Sequence, residues 1–320
     1  MVNLLKLKKA HLKKFLNKLK NEHKLYVPVK TDLVRFEEYK GDIYLKENSY
    51  FPIKEFFFKK EETLFDYNKN KISVPEKESE KRIFFGVRRC DLNAIKHQDM
   101  IFIEKFNDPY YKKERENSIL IGYHCNTAPS EFCFCGSMDL KDCQDLMFFD
   151  KGSYFLVEIS SKKGSSLIKK HKEFFKNTDK KITTKKIPNT DILHTKDISN
   201  LYNNPDWKKA SSMCLSCSAC TALCPTCYCH SIHDEGNVHN LNKGKRKRTW
   251  SSCQLKEFTK VAGGHVFREK REDRFKHRIY HQLEYFKERY GVNLCTGCGR
   301  CISGCPTRIN WLKLVNEMKK

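Results

Sequence analysis

The chain has 320 residues, 39% of them hydrophobic and 32% charged, with 16 cysteines and a formal net charge of +23. It is long enough for one sizeable core or two smaller ones, and no apolar run approaches the roughly 18 residues needed to span a bilayer, so a helical membrane span is excluded. No secretory signal is recognised, so this many cysteines point to a reducing compartment, and a cytoplasmic, anaerobic setting is expected.

The basic charge invites a nucleic-acid reading, but the lysines are spread along the whole chain. The densest run, "KGKRKR" from Lys243 to Arg248, has only Trp250 beside it. Single-strand binding would need basic residues interleaved with stacking aromatics, so no nucleic-acid partner is expected, and a nucleic-acid-binding iron–sulfur or zinc protein is the least favoured reading. The run reads as a solvated loop, with a docking patch for an acidic redox partner as the alternative.

In chain order, "LLKLKKAHLKKFLNKLK" places Leu5, Leu12, Phe15, Leu16 and Leu19 on one helical face and predicts a terminal helix packed on its own domain. From about residue 24 to 160, "KLYVPV", "RIFFGVR", "SILIGYH" and "SYFLVEIS" read as strands, with a helix after Cys90 and another from about Ser165 to Lys176. That alternation predicts an α/β domain. The polar stretch "KNTDKKITTKKIPNT" then leads to a join between 185 and 205.

Beyond the join, Cys214, Cys217, Cys220, Cys224 and Pro225 form the run C-x2-C-x2-C-x3-C-P, and Cys295, Cys298, Cys301, Cys305 and Pro306 repeat it. This is the spacing with which bacterial ferredoxins wrap cubane clusters, the fourth cysteine of each run crossing to the other cluster. Cys214, Cys217, Cys220 and Cys305 are thus expected to hold one [4Fe-4S] cluster, and Cys295, Cys298, Cys301 and Cys224 the second. Structural zinc more often takes two spaced pairs, and disulfides need an oxidising compartment. Each cluster with four thiolates carries about −2, so two or three would remove roughly 4 to 6 units of the formal charge.

Between the runs, "QLKEFTKVAGG" and "REDRFKHRIYHQLEYFKERYG" read as helices, the second with Phe275, Ile279, Leu283, Phe286 and Tyr290 near one face and Gly291 as its stop. The expected fold class is an α/β N-terminal domain over 1–200 plus an α-helical ferredoxin-like dicluster domain over 201–320.

Two further cysteine groups remain. Cys90 follows one predicted strand, Cys125 ends another, and the loop carrying Cys133 and Cys135 can reach the same edge, where α/β sheets build sites. Four sulfurs there predict a third [4Fe-4S] cluster; the alternative is four small buried hydrophobes. Cys143 is surplus, though it could replace any of the four. Cys227, Cys229 and Cys253, with His230 and His233 nearby, could bind zinc or a further iron centre, or surround a neighbouring cluster with polarizable thiols.

Together "FGVRRCDLNAI", "CFCGSMDLKDC", "CPTCYC", "RKRTWSSC", "AGGHVFREK" and "CTGCGRCISGCP" resemble the A subunit of anaerobic sulfite reductase and, more broadly, the β subunit of sulfhydrogenases. "DCQ" and "FREK" look closer to the sulfite reductase branch. Arg89 stands where the family often has Pro, and Ser218 where it often has Gly; neither change removes a ligand. The resemblance implies a hetero-oligomer in which an NADH-oxidising flavin subunit feeds electrons through this chain to a siroheme subunit that reduces sulfite. Its counterpart is the same relay in a soluble nickel–iron hydrogenase. No dinucleotide-binding turn, Walker loop or catalytic triad stands out, and no catalytic residue is expected.

Overall fold

The computed structural model describes residues 4–75, 80–195 and 197–319. Two compact units emerge, each assembled from separate stretches of chain: Met1–Ile53, Glu80–His194 and Cys295–Arg300 in one, Lys54–Ser79, Thr195–Leu294 and Cys301–Lys320 in the other. The division is not a single cut near residue 200.

The first unit is built on a mixed eight-stranded sheet. Strands Lys24–Lys30, Arg82–Val87, Ser118–Tyr123 and Leu146–Asp150 run parallel at its centre. Antiparallel strands flank them, Val34–Glu38 on one side and Tyr154–Ile159, Leu4–Lys8 and Phe175–Asn177 on the other. "RIFFGV" is buried at every position, as a strand covered on both faces must be, which is why it reads as a continuous apolar run rather than an alternation.

The opening segment differs from expectation. Residues Leu4–Lys8 form a strand, and the helix begins only at Leu12. In "LLKLK" leucines alternate with lysines at Leu5, Lys6, Leu7 and Lys8, and two antiparallel neighbours saturate the backbone of that stretch. Leu12, Phe15, Leu16 and Leu19 do face the core, where they pack with Leu25, Phe85 and Phe148. The helix placed at Ser165–Lys176 runs instead over Lys162–Lys170, started by Ser161, whose Oγ accepts from the Gly164 N–H at 3.0 Å. Its last residues leave the helix and pair as the strand Phe175–Asn177.

The second unit is not purely helical. Strands His230–Asn237 and Asn240–Trp250 form a hairpin, to which Glu61–Asn68 and then Lys71–Ser73 add as a four-stranded antiparallel sheet. "KGKRKR" is therefore strand rather than loop. Most of this hairpin is exposed on both faces, so it lacks the apolar alternation that betrays a strand. Cross-strand charge substitutes for it: Arg246 pairs with Asp234 at 2.7 Å, and Lys247 with Glu235 and Glu61. "QLKEFTKVAGG" makes only a short turn at Lys256–Thr259: Lys260 is already extended and bridges to Val266, with Gly263 and Gly264 between them at φ of +83° and +85°. The long helix is present from Arg271 to Tyr290, with one wide turn at His281–Tyr285, and stops at Gly291 with φ +75°. Phe275, Ile279, Leu283 and Phe286 are buried.

Candidate metal centres

The two ferredoxin runs adopt one backbone. Ser216 and Ser218 have φ of +53° and +66°, and the matching Gly297 and Gly299 have +66° and +74°. In the first run the Ser216 N–H donates to Cys214 Sγ at 3.4 Å; in the second, the Gly297 N–H donates to Cys295 Sγ at the same distance. The Cys-Pro-Thr ends match too, with a threonine hydroxyl 3.1 Å from Cys224 Sγ and another 3.5 Å from Cys305 Sγ. Donors aimed at cysteine sulfur stabilise thiolate, the form a metal requires, so the donor set fits cluster ligation at these positions.

Within the second unit, Arg278 on the long helix is a charged group that cysteine spacing could not flag. Its guanidinium donates to Cys220 O at 3.1 Å. Burial opposes its charge, but the thiols of Cys224, Cys220 and Cys301 outweigh that and hold it protonated. The thiols respond in opposite sense: burial pushes Cys220 and Cys301 up while Arg278 pulls them down. Trp311 adds an indole N–H to Cys301 Sγ at 3.2 Å.

Cys227, Cys229 and Cys253 do come together. Cys229 lies between the other two thiols, so Cys227 and Cys253 are lowered by its hydrogen bonds while its own pKa rises. The fully buried Lys54 ammonium sits 4.2 Å from the Trp250 ring centre and donates to the carbonyls of Cys227 and Thr221, each at 3.2 Å. His230 instead turns its Nδ1 to Tyr228 O. Among the described residues no three His, Cys, Asp or Glu side chains meet closely enough to hold a single metal ion.

In the first unit, Cys90, Cys125, Cys133 and Cys135 line one cavity together with Gly297 and Cys298. Cys90 lies in the first turn of the helix Arg89–Asp99, which follows the Arg82–Val87 strand, and Cys125 lies just past Ser118–Tyr123. Both therefore stand at the carboxyl edge of parallel strands. Arg88 donates to Cys125 Sγ at 3.5 Å, and Asn48 Nδ2 lies 3.9 Å from Cys90 Sγ. Burial pushes Cys90 well up, Cys133 to about 11, and Cys125 up against the opposing Arg88. Burial makes these sulfurs costly as free thiolates, and N–H donors and a bound metal both lower that cost, so the donor set fits a cluster here as well. Cys143 is not among the cavity's lining residues, and burial holds its thiol at about 12. Arg89, the residue in place of Pro, reaches Leu140 O at 3.0 Å and Asp142 at 3.1 Å rather than the cysteines.

Residues 213–309 match a family described as a 4Fe-4S dicluster domain, and this match implies two [4Fe-4S] clusters, which makes the chain an iron–sulfur protein. Over 338 aligned positions it is 31% identical to "Sulfhydrogenase 2 subunit beta" of Pyrococcus furiosus, covering 98% of each chain. The chain belongs to the sulfhydrogenase beta subunit family. No helix among the described residues is long and apolar enough to cross a membrane.

Proposed function

We propose that this chain is the electron-transfer subunit of a cytoplasmic hydrogenase-type complex. The carrying observation is similarity to a sulfhydrogenase beta subunit along nearly the whole chain, including both ferredoxin runs. It supports the hydrogenase side of the expected pair better than the sulfite reductase side. The sulfite reductase reading retains the "DCQ" and "FREK" stretches in its favour.

Cys214, Cys217, Cys220 and Cys305 would hold one cluster, Cys295, Cys298, Cys301 and Cys224 the other, and Cys90, Cys125, Cys133 and Cys135 a third. When bound, such clusters accept and release one electron at a time. The chain's own residues set where that happens: N–H groups at Cys214, Cys295 and Cys301 and buried arginines at Cys125 and Cys220 favour the more negative, reduced state. In such a relay the clusters carry the electron chemistry, and the protein supplies their binding, orientation and electrostatics.

The test is to purify the chain with its natural partners under anaerobic conditions and assay nickel and siroheme. Stoichiometric nickel with hydrogen-dependent dye reduction is expected, and siroheme without nickel would transfer the relay to a sulfite-reducing complex. Replacing Cys298 by Ala should stop electron flow between the partners while each keeps its own reaction with an artificial donor or acceptor. Undiminished flow in that variant would refute the relay.

A further inference from the structure

Arg300 lies inside the second ferredoxin run, two positions after Cys298, yet its side chain reaches Asn48, which lines the four-cysteine cavity, and Asp91, which follows Cys90. It is buried, and its guanidinium grips both carboxylate oxygens of Asp91, at 2.6 and 2.7 Å. It also donates to Ser49 O at 2.7 Å, Ser49 Oγ at 3.1 Å and Asn48 Oδ1 at 2.7 Å. Asp91 follows Cys90 in sequence, and Asn48 turns its other amide atom toward Cys90 Sγ. One guanidinium therefore sets the position of Cys90 through two neighbours.

The peptide before Arg300 is inlaid in the same wall. The Phe134 N–H, between Cys133 and Cys135, donates to Gly297 O at 2.8 Å, and Cys133 Sγ lies 3.9 Å from Cys298 O. A Cβ on Gly297 would fall 2.6 Å from Cys135 Cα, and one on Gly299 2.4 Å from Phe132 O. Glycine at both positions is what allows the approach. A path from the Cys133–Cys135 segment to the Gly297–Cys298 segment thus crosses covalent bonds and one backbone hydrogen bond that does not involve a thiol proton, so it survives metal binding.

We infer that Arg300 is a positioning residue shared by two redox centres, wiring the Cys90/Cys125/Cys133/Cys135 centre to the cluster that Cys295 and Cys298 help hold. The inference rests on the proposed third centre. An electron taking this route oxidises one cluster and reduces the other by one unit, with no bond broken and no proton moved. The guanidinium places its charge against Asp91 and Asn48, the immediate neighbours of Cys90, on the same short segment of chain as Cys298. Its charge therefore favours the reduced state of both centres, and Asp91 offsets it.

This predicts opposite signs from the two halves of the ion pair. In the full chain, purified anaerobically, Arg300→Gln should lower the midpoint potentials of both centres and Asp91→Asn should raise them. At the third centre the reduced-to-oxidised ratio at fixed ambient potential should move about tenfold, equivalent to about 59 mV for one electron. The double variant should return toward the wild-type values. In the fully reduced wild type, the third centre's electron paramagnetic resonance signal should be split or broadened by its neighbour; this holds even if a variant loses its iron. About 8 iron per chain would remove the third centre itself, and the inference with it, since the expected count is about 12. About 12 iron with an unbroadened third signal, or with variants that shift only one centre or shift both in the same sense, would overturn the wiring and leave the third centre standing.

Discussion

Gly297 packs directly on Cys135: a Cβ on the glycine would lie 2.6 Å from both the Cα and the N of the cysteine, a distance at which backbone must move. Gly297 also holds φ +66°, which side chains other than hydrogen adopt only with strain. Gly297→Ala should therefore combine a left-handed penalty of about 1–2 kcal/mol with a backbone clash, and it should displace the Cys135 loop. We expect a lowered unfolding temperature and iron lost chiefly from the four-cysteine centre. Gly263→Ala is the control, with φ +83° but no heavy atom within 4 Å of the new Cβ. It should show the conformational penalty alone and full iron.

Ser218 shows the converse. It occupies in the first run the left-handed position that Gly299 holds in the second, with φ +66°, and its hydroxyl is buried with no hydrogen-bond partner. Ser218→Gly should relieve both and raise stability by up to about 1 kcal/mol, read as a higher thermal midpoint at unchanged iron content. A lower midpoint would show that the serine makes a compensating interaction in the loaded protein.

Cys224→Ser tests the crossed ligand assignment. The loss should fall on the cluster of Cys295, Cys298 and Cys301, leaving the signal of the cluster of Cys214, Cys217 and Cys220 in place. Damage confined to the first-run cluster would reverse the assignment.

Acid should destabilise the second unit through two histidines on the long helix. Burial holds His281 at about 3, reinforced by His277, and His277 at about 4, reinforced by Arg268. Their rings stack at 5.8 Å, and His281 Nε2 meets the Tyr228 hydroxyl at 3.0 Å. Both folded values lie below the ordinary 6.5, so the unfolded chain binds more protons between pH 6.5 and about 3 to 4, and stability falls as pH drops through that range. Denaturant midpoints at pH 7 and pH 5 should differ less in His281→Gln than in the wild type. An equal difference would show that His281 is not a source of the acid sensitivity.

The two cluster runs were legible because their spacing is local: the whole C-x2-C-x2-C-x3-C-P signature falls within twelve residues and is read without knowing what surrounds it. The central strands were legible for a similar reason, since burial on both faces leaves an unbroken apolar run in the sequence itself. The hairpin from His230 to Trp250 was not, because its pairing relies on backbone bonds and exposed ion pairs rather than on a hydrophobic face. The opening strand was hidden by the helix that follows it, whose leucine spacing extends by chance into "LLKLK". Tertiary structure alone set Arg300 against Asp91, 209 positions away, and placed Lys54 beneath the carbonyls of Thr221 and Cys227. Buried charges find partners by proximity in space, and a single sequence carries no periodicity that records such proximity. The cysteines determined what chemistry this chain holds, and the packing of distant segments decided which charges surround each group of sulfurs.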